Sequence, residues 1–155
     1  YFMIRTTGSE QIEILNIVSG TAVVRYKPSR NLRDANAWYH IVIAIDTTQA
    51  GGNRVKMYFN GERETNFDLN VEPNQNANVQ YINDTTLHCI GRKDVTTDKY
   101  MKGVLSHYHF IDGTAYDATA FGEYDANGVW KIKTSPSVTY GTNGFFILKD
   151  GNSVT

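Results

Sequence analysis

Along residues 38–45 (WYHIVIAI), apolar side chains occupy both alternating faces of an extended chain. Trp38, Val42 and Ala44 share one face with His40, while Tyr39, Ile41, Ile43 and Ile45 share the other. A strand covered on both sides has this pattern, whereas a half-solvated strand alternates apolar with polar. Asp46 ends the run, and residues 47–53 contain Gly51-Gly52, which predicts a loop. Residues 54–59 then set Val55, Met57 and Phe59 against Arg54, Lys56 and Tyr58, the pattern of a strand with one solvated face. Asn60-Gly61 follows at once. A type I′ hairpin turn needs positive φ at both central residues, and Asn-Gly supplies it at low cost. The stretch predicts the middle of an antiparallel β-sandwich, with Trp38 and Phe59 in its core.

The flanking chain continues the theme. Residues 1–6, 11–18 and 21–26 are strand-like runs separated by Gly8-Ser9 and Ser19-Gly20, the third closed by Pro28. Residues 31–36 are polar and form a crossing. Residues 66–78, rich in Asn, Gln and Pro, are expected to be a solvent loop. A short strand is expected at residues 86–90 and a polar loop at 92–99. A longer strand follows at 103–111 (GVLSHYHFI), turned by Asp112-Gly113. Residues 116–124 hold the one helical candidate, a single turn. Asn127-Gly128 and Asn143-Gly144 are further turns around the strand-like VWKIK, and residues 145–148 form a last apolar run before Asp150-Gly151. Short strands with turn signals about every ten residues imply an all-β sandwich or jelly roll.

Composition narrows the function classes. At 155 residues the chain is expected to be one domain with a single core. Fifteen basic and sixteen acidic residues are dispersed, with a net charge of −1, so no basic block exists to neutralise a phosphate backbone and nucleic acid is not expected as a partner. No apolar run has the length of a membrane span. The single cysteine, Cys89, rules out an internal disulfide. Ten tyrosines and thirteen glycines suit a strand-and-turn protein with a hydrogen-bonding surface.

WYHIVIAID, then RVKMYFNGE, then Ile90-Gly91, then a glycine-led strand from Gly103 into FIDG resemble the concanavalin A-like, laminin G-like jelly rolls. The resemblance spans residues 32–148 and is closest to the version found in tail-fibre and other virion proteins of tailed bacteriophages, marine ones included. There FIDG leads into a stretch like AYDATAFGEYDANGVWKIK and then a YGTNGFF segment, residues 140–146 here. In such proteins the jelly roll has a strand or two before the position of Tyr1 and a returning strand after YGTNGFF. The resemblance therefore implies an excerpt of a longer chain, incomplete at both ends. An acidic residue and a small aliphatic one often precede FIDG in such domains. Here His107-Tyr108 stand there, which removes an acidic contribution to a cation site.

Four sets of residues bear on chemistry. His107 and His109, two apart on one strand, present two imidazoles on one face; zinc would need a third ligand such as His88, Cys89 or His40. The bare pair lacks that ligand count, and His109 and His40 read as half-buried strand residues hydrogen-bonded to backbone, so no metal is assigned. The fold also houses glycoside hydrolases, whose retaining members need two carboxyl groups about 5–5.5 Å apart. Glu62 with Glu64, and Glu123 with Asp125, have two-residue spacing but polar, solvated surroundings. Glu10 and Glu13 are three apart, on opposite faces of a strand, and the Glu-x-Asp-x-x-Glu run of glucanases with this fold is missing. Calcium between rim loops would draw on Asp46, Asp94, Asp98, Asp112 and Asp117, which end or follow strands without a defined spacing, so no ligand is assigned. Exposed tyrosines are able to stack on sugar faces.

The expectation is a non-catalytic structural or adhesion module of a phage virion, in a tail fibre or decorating a capsid. No catalytic, cofactor or metal residue is assigned to it. Its expected partners are other virion subunits in an oligomeric assembly and a glycan on the host surface. It would be made in the host cytoplasm and located in the particle. The alternatives are a glycoside-active enzyme domain and a laminin G-like adhesion module of a secreted bacterial protein.

Overall fold

The computed structural model describes residues 1–93 and 100–149. The chain divides into two compact units, one of Tyr1–Ile82 with Ala115–Val138 and the other of Asn83–Thr114 with Thr139–Thr155. The first unit contains an antiparallel sheet of β1 (Phe2–Thr6), β2 (Ile12–Val18) and β3 (Thr21–Pro28). A second antiparallel sheet contains β4 (Ile41–Ile45), β5 (Val55–Phe59) and β6 (Glu62–Arg63). The first sheet is completed by β7 (Phe67–Val71), which pairs with β3. Ile12, Ile14, Val24 and Tyr26 from one sheet and Val55, Met57 and Phe59 from the other form a single buried cluster. This is a β-sandwich core, and apart from one 3₁₀ turn the described chain holds no helix.

Several elements follow directly from local chemistry. Asn60 and Gly61 have φ of 49° and 87°, and Phe59 pairs with Glu62, so the hairpin is the two-residue turn that Asn-Gly predicts. Ser19 and Gly20, with φ of 49° and 81°, turn β2 into β3. Phe59 is 1% exposed. Val42 and Ala44 are buried on one face of β4, and Ile41, Ile43 and Ile45 pack on the core from the other. The double-sided apolar pattern is therefore met.

Trp38 is not in the core; it is 66% exposed. The strand starts only at Ile41 because residues 34–39 close on themselves. The Ala37 N–H donates to the Asp34 carbonyl, and the Asn36 N–H to the Asp34 carboxylate. The Asp34 N–H reaches the Tyr39 hydroxyl. The other tryptophan, Trp130, is half-buried on β10 (Trp130–Ile132), which pairs with β9 (Gly122–Tyr124). Its ring lies so close to Gly61 and Gly122 that a Cβ at either would stand 2.3 Å from it. Its Nε1–H donates to His40 Nδ1 at 3.0 Å.

Three further expectations are corrected. Residues 66–78 are not all loop, because Phe67, Leu69 and Val71 alternate with Asp68 and Asn70, and Phe67 packs edge-on against Tyr26. No strand forms at residues 86–90. There the Asp84 carboxylate takes both the N–H and the hydroxyl of Thr86, local bonds that compete with a ladder, and Leu87 is exposed. In the second unit, the strand expected over 103–111 is only β8 (Tyr108–Phe110), paired with β11 (Phe145–Ile147). His107 precedes it at φ 50°, a left-handed residue that breaks the extended run. The Asp150-Gly151 turn and most of the 92–99 loop lie outside the described residues.

Candidate functional site

A polar groove of about 260 Å³ opens on the outer face of the β4–β5 hairpin, within the first unit. Strand alternation builds it. With Val55, Met57 and Phe59 committed to the core, Lys56 and Tyr58 must project to the opposite face. Ala44 is the cross-strand partner of Lys56, and its methyl leaves open the space that a larger residue would fill. One end of the groove is the β4–β5 loop, supplying Asp46, Gln49 and Asn53. The other wall is Ala115, Tyr116 and Asp117.

Each wall is held by its own hydrogen bonds. Glu72 accepts from the backbone N–H groups of Gly52 and Arg54 at 2.9 Å each and from Arg54 Nη1 at 3.2 Å, which clamps the loop. Asp46 accepts from the Thr48 hydroxyl at 2.6 Å, the Thr48 N–H at 3.0 Å and Gln49 Nε2 at 2.7 Å. The bonds from Thr48 and Gln49 hold its carboxyl below the usual value. Asp117 caps the 3₁₀ turn Ala118–Ala120, accepting from the Thr119 N–H and hydroxyl. The Thr119 hydroxyl bond keeps its carboxyl low against the opposing effect of burial. The Lys56 ammonium adds to the stabilisation of both carboxylates. Burial, then the charge of Asp117, push the Tyr58 phenol up. The groove therefore presents two ionised carboxylates, one ammonium, two phenols and two amides.

The carboxylate pairs singled out in the sequence sit in dissimilar surroundings. Glu64 is buried rather than solvated, bonded to Arg30 at 3.1 Å and accepting from the Thr65 and Asn66 N–H groups, whereas Glu62 is exposed. Asp125 closes the turn before β10, and the Val129 N–H holds its carboxyl low, while Glu123 points to solvent. Glu10 sits in the β1–β2 turn at φ 58° rather than on a strand face. Glu13 is 1% exposed between Arg5 and Arg25. Burial alone would raise its carboxyl, but the hydrogen bonds from Arg25 and Arg5 more than offset that and lower it.

A family model described as the concanavalin A-like lectin/glucanases superfamily (Laminin_G_3) matches residues 1–119. The chain belongs to this superfamily. No curated protein and no solved structure matches it. Lectins and glucanases share the family description, so membership in the concanavalin A-like superfamily leaves the chemistry to the side chains present.

In this concanavalin A-like chain the histidines are engaged individually. His109 stacks on Phe146 with ring centroids 3.9 Å apart, and its Nδ1 lies 2.8 Å from the Tyr140 hydroxyl. His107 Nδ1 is 2.7 Å from the Ser106 hydroxyl, and His88 Nδ1 is 2.7 Å from the Thr86 carbonyl. His40 Nδ1 accepts from the Trp130 indole, a side chain rather than the backbone group expected. Cys89 is half-buried. Among the described residues no group of three or more His, Cys, Asp or Glu is arranged to hold a metal ion. Of the calcium candidates, Asp46 and Asp117 share the groove, and Asp112 is bonded to Asn83 and Asn143 in the second unit. Asp94 and Asp98 lie outside the described residues. Alternation along β5 puts Lys56 and Tyr58 on a solvated face, whereas nothing within that strand sets Tyr116 and Asp117 beside them. The one available signal was Ala44, the smallest residue of an otherwise bulky run.

Proposed function

We propose that the protein is a non-catalytic adhesion module that recognises a glycan in the Asp46–Lys56–Tyr58–Tyr116–Asp117 groove. The observation that carries this reading is the lining itself. Hydrogen-bonding groups of both polarities converge beside two tyrosine rings, the combination a pyranose needs for its hydroxyls and its C–H face. Against an enzyme stands the low pKa of both groove carboxyls, since a general acid must stay protonated near neutral pH. We further propose that the module works on a tailed-phage particle, in a fibre or on the capsid, with other virion subunits as partners. The FIDG and YGTNGFF segments support this placement. No metal cofactor is invoked.

Glycan-array binding with the wild-type chain and with Ala44→Leu, which fills the groove floor, tests the reading. Binding by the wild type that is lost in Ala44→Leu and in Tyr58→Ala is expected. Equal binding by all three places recognition elsewhere, and release of reducing ends from a bound glycan overturns the non-catalytic assignment. Mass spectrometry of purified particles of the phage carrying the gene tests the virion placement, which fails if the chain's peptides are missing.

A further inference from the structure

Resting on the glycan-binding reading, we infer that the groove selects a neutral hexopyranose through a pair of adjacent free hydroxyls and discriminates against sugars bearing a carboxylate. Lys56 and Tyr58 lie two apart on the outer face of β5, where Lys56 acts on Asp46 and Asp117, and Asp117 on Tyr58, through charge, with no hydrogen bond or close ion pair made by either side chain among the described residues. The ammonium retains three donors and the phenol a donor and an acceptor. Across the groove, Asp117 spends its Oδ1 on the Thr119 N–H and hydroxyl. A carboxylate has about four lone-pair positions, so acceptor capacity remains. The charged lining is Asp46, Asp117 and Lys56, two negative and one positive, a net charge of −1.

That arrangement discriminates by chemistry. A hydroxyl both accepts and donates. One hydroxyl of a vicinal pair is able to take a hydrogen bond from the Lys56 ammonium while its neighbour donates to Asp117, satisfying both walls at once. A uronate carboxylate only accepts. It would pair with Lys56 but face Asp46 and Asp117 across a space of about 260 Å³, where like charges repel. The same volume falls below the roughly 300–1,000 Å³ of pockets for drug-sized ligands. The groove thus fits a single sugar ring rather than a length of chain. Tyr58 and Tyr116 line the groove, and their rings supply apolar area for the C–H side of that sugar.

The experiment is an NMR titration of the whole chain with methyl glucoside, methyl galactoside, methyl mannoside and glucuronate, following the amides of Ala44, Lys56 and Asp117. At least one neutral glycoside is expected to shift these signals, with glucuronate about ten-fold weaker. Asp117→Asn, which preserves the cap, is expected to narrow that gap, and Lys56→Met to weaken the neutral glycoside. Glucuronate binding as tightly as the best neutral sugar overturns the charge selection and leaves the glycan-binding reading intact. The same holds if Lys56→Met has no effect on a sugar that Ala44→Leu excludes. If no sugar shifts the groove signals, both readings fall together.

Discussion

Phe59 and Trp38 are both aromatic residues of the central hairpin region, yet burial separates them. Phe59 is 1% exposed and Trp38 66% exposed. Phe59→Ala is therefore expected to cost about 3–5 kcal/mol in urea unfolding, and Trp38→Ala no more than about 0.5 kcal/mol. A large loss from Trp38→Ala would overturn the exposure of this side chain. His40 carries a pH dependence whose sign is fixed by burial, which lowers its pKa from 6.5. Below 6.5 the unfolded chain takes up a proton that the folded imidazole resists, and a protonated Nδ1 no longer accepts from Trp130. This contribution is complete above pH 6.5 and declines as pH falls through the lower folded value. With Trp38→Phe leaving Trp130 as the sole indole, Trp130 fluorescence is expected to change over that acidic interval. His40→Gln should abolish the change, and a change that survives in His40→Gln would assign the titration elsewhere.

At the scale of elements, the β5–β6 turn and the β9–β10 hairpin are fitted to each other through Trp130. Gly61 has two independent reasons to be glycine: φ of 87° and a ring that would lie 2.3 Å from any Cβ. Gly61→Ala is expected to destabilise by more than the roughly 1–3 kcal/mol that backbone strain alone costs. Part of that loss should vanish when Trp130→Ala is already present, leaving the strain. Strict additivity of the two changes in a double-mutant cycle would show that the ring is not the obstacle. The same elements show how far local pattern reaches. Asn60-Gly61 was legible because both central residues state their own backbone geometry. β7 was hidden because Asp68, Asn70 and the Asn- and Gln-rich flank masked its period of two. Its partner β3 decided the matter by offering an open ladder.

At the scale of the molecule, β1 forms one edge of its sheet, with β2 on one side and no strand on the other among the described residues. It pairs with β2 without a bulge and exposes Ile4 by 46%. Such an edge templates pairing with another chain. Light scattering over a range of concentrations is expected to find association, reduced in Ile4→Lys; a monomer at every concentration overturns this. The sequence by itself determined the all-β class, the central hairpin and the core residues of β5. Those depend on alternation and turn chemistry, which are properties of neighbours in the chain. It also placed Lys56 and Tyr58 on the solvated face. Tertiary structure alone decided that Trp130, ninety residues from His40, donates its indole N–H to that histidine, while Trp38 is left exposed. It alone set Tyr116 and Asp117 across a groove from Lys56 and used Arg5 and Arg25 to neutralise a buried Glu13. Each of those outcomes depends on which distant segments come together, and no periodicity within a single strand encodes that.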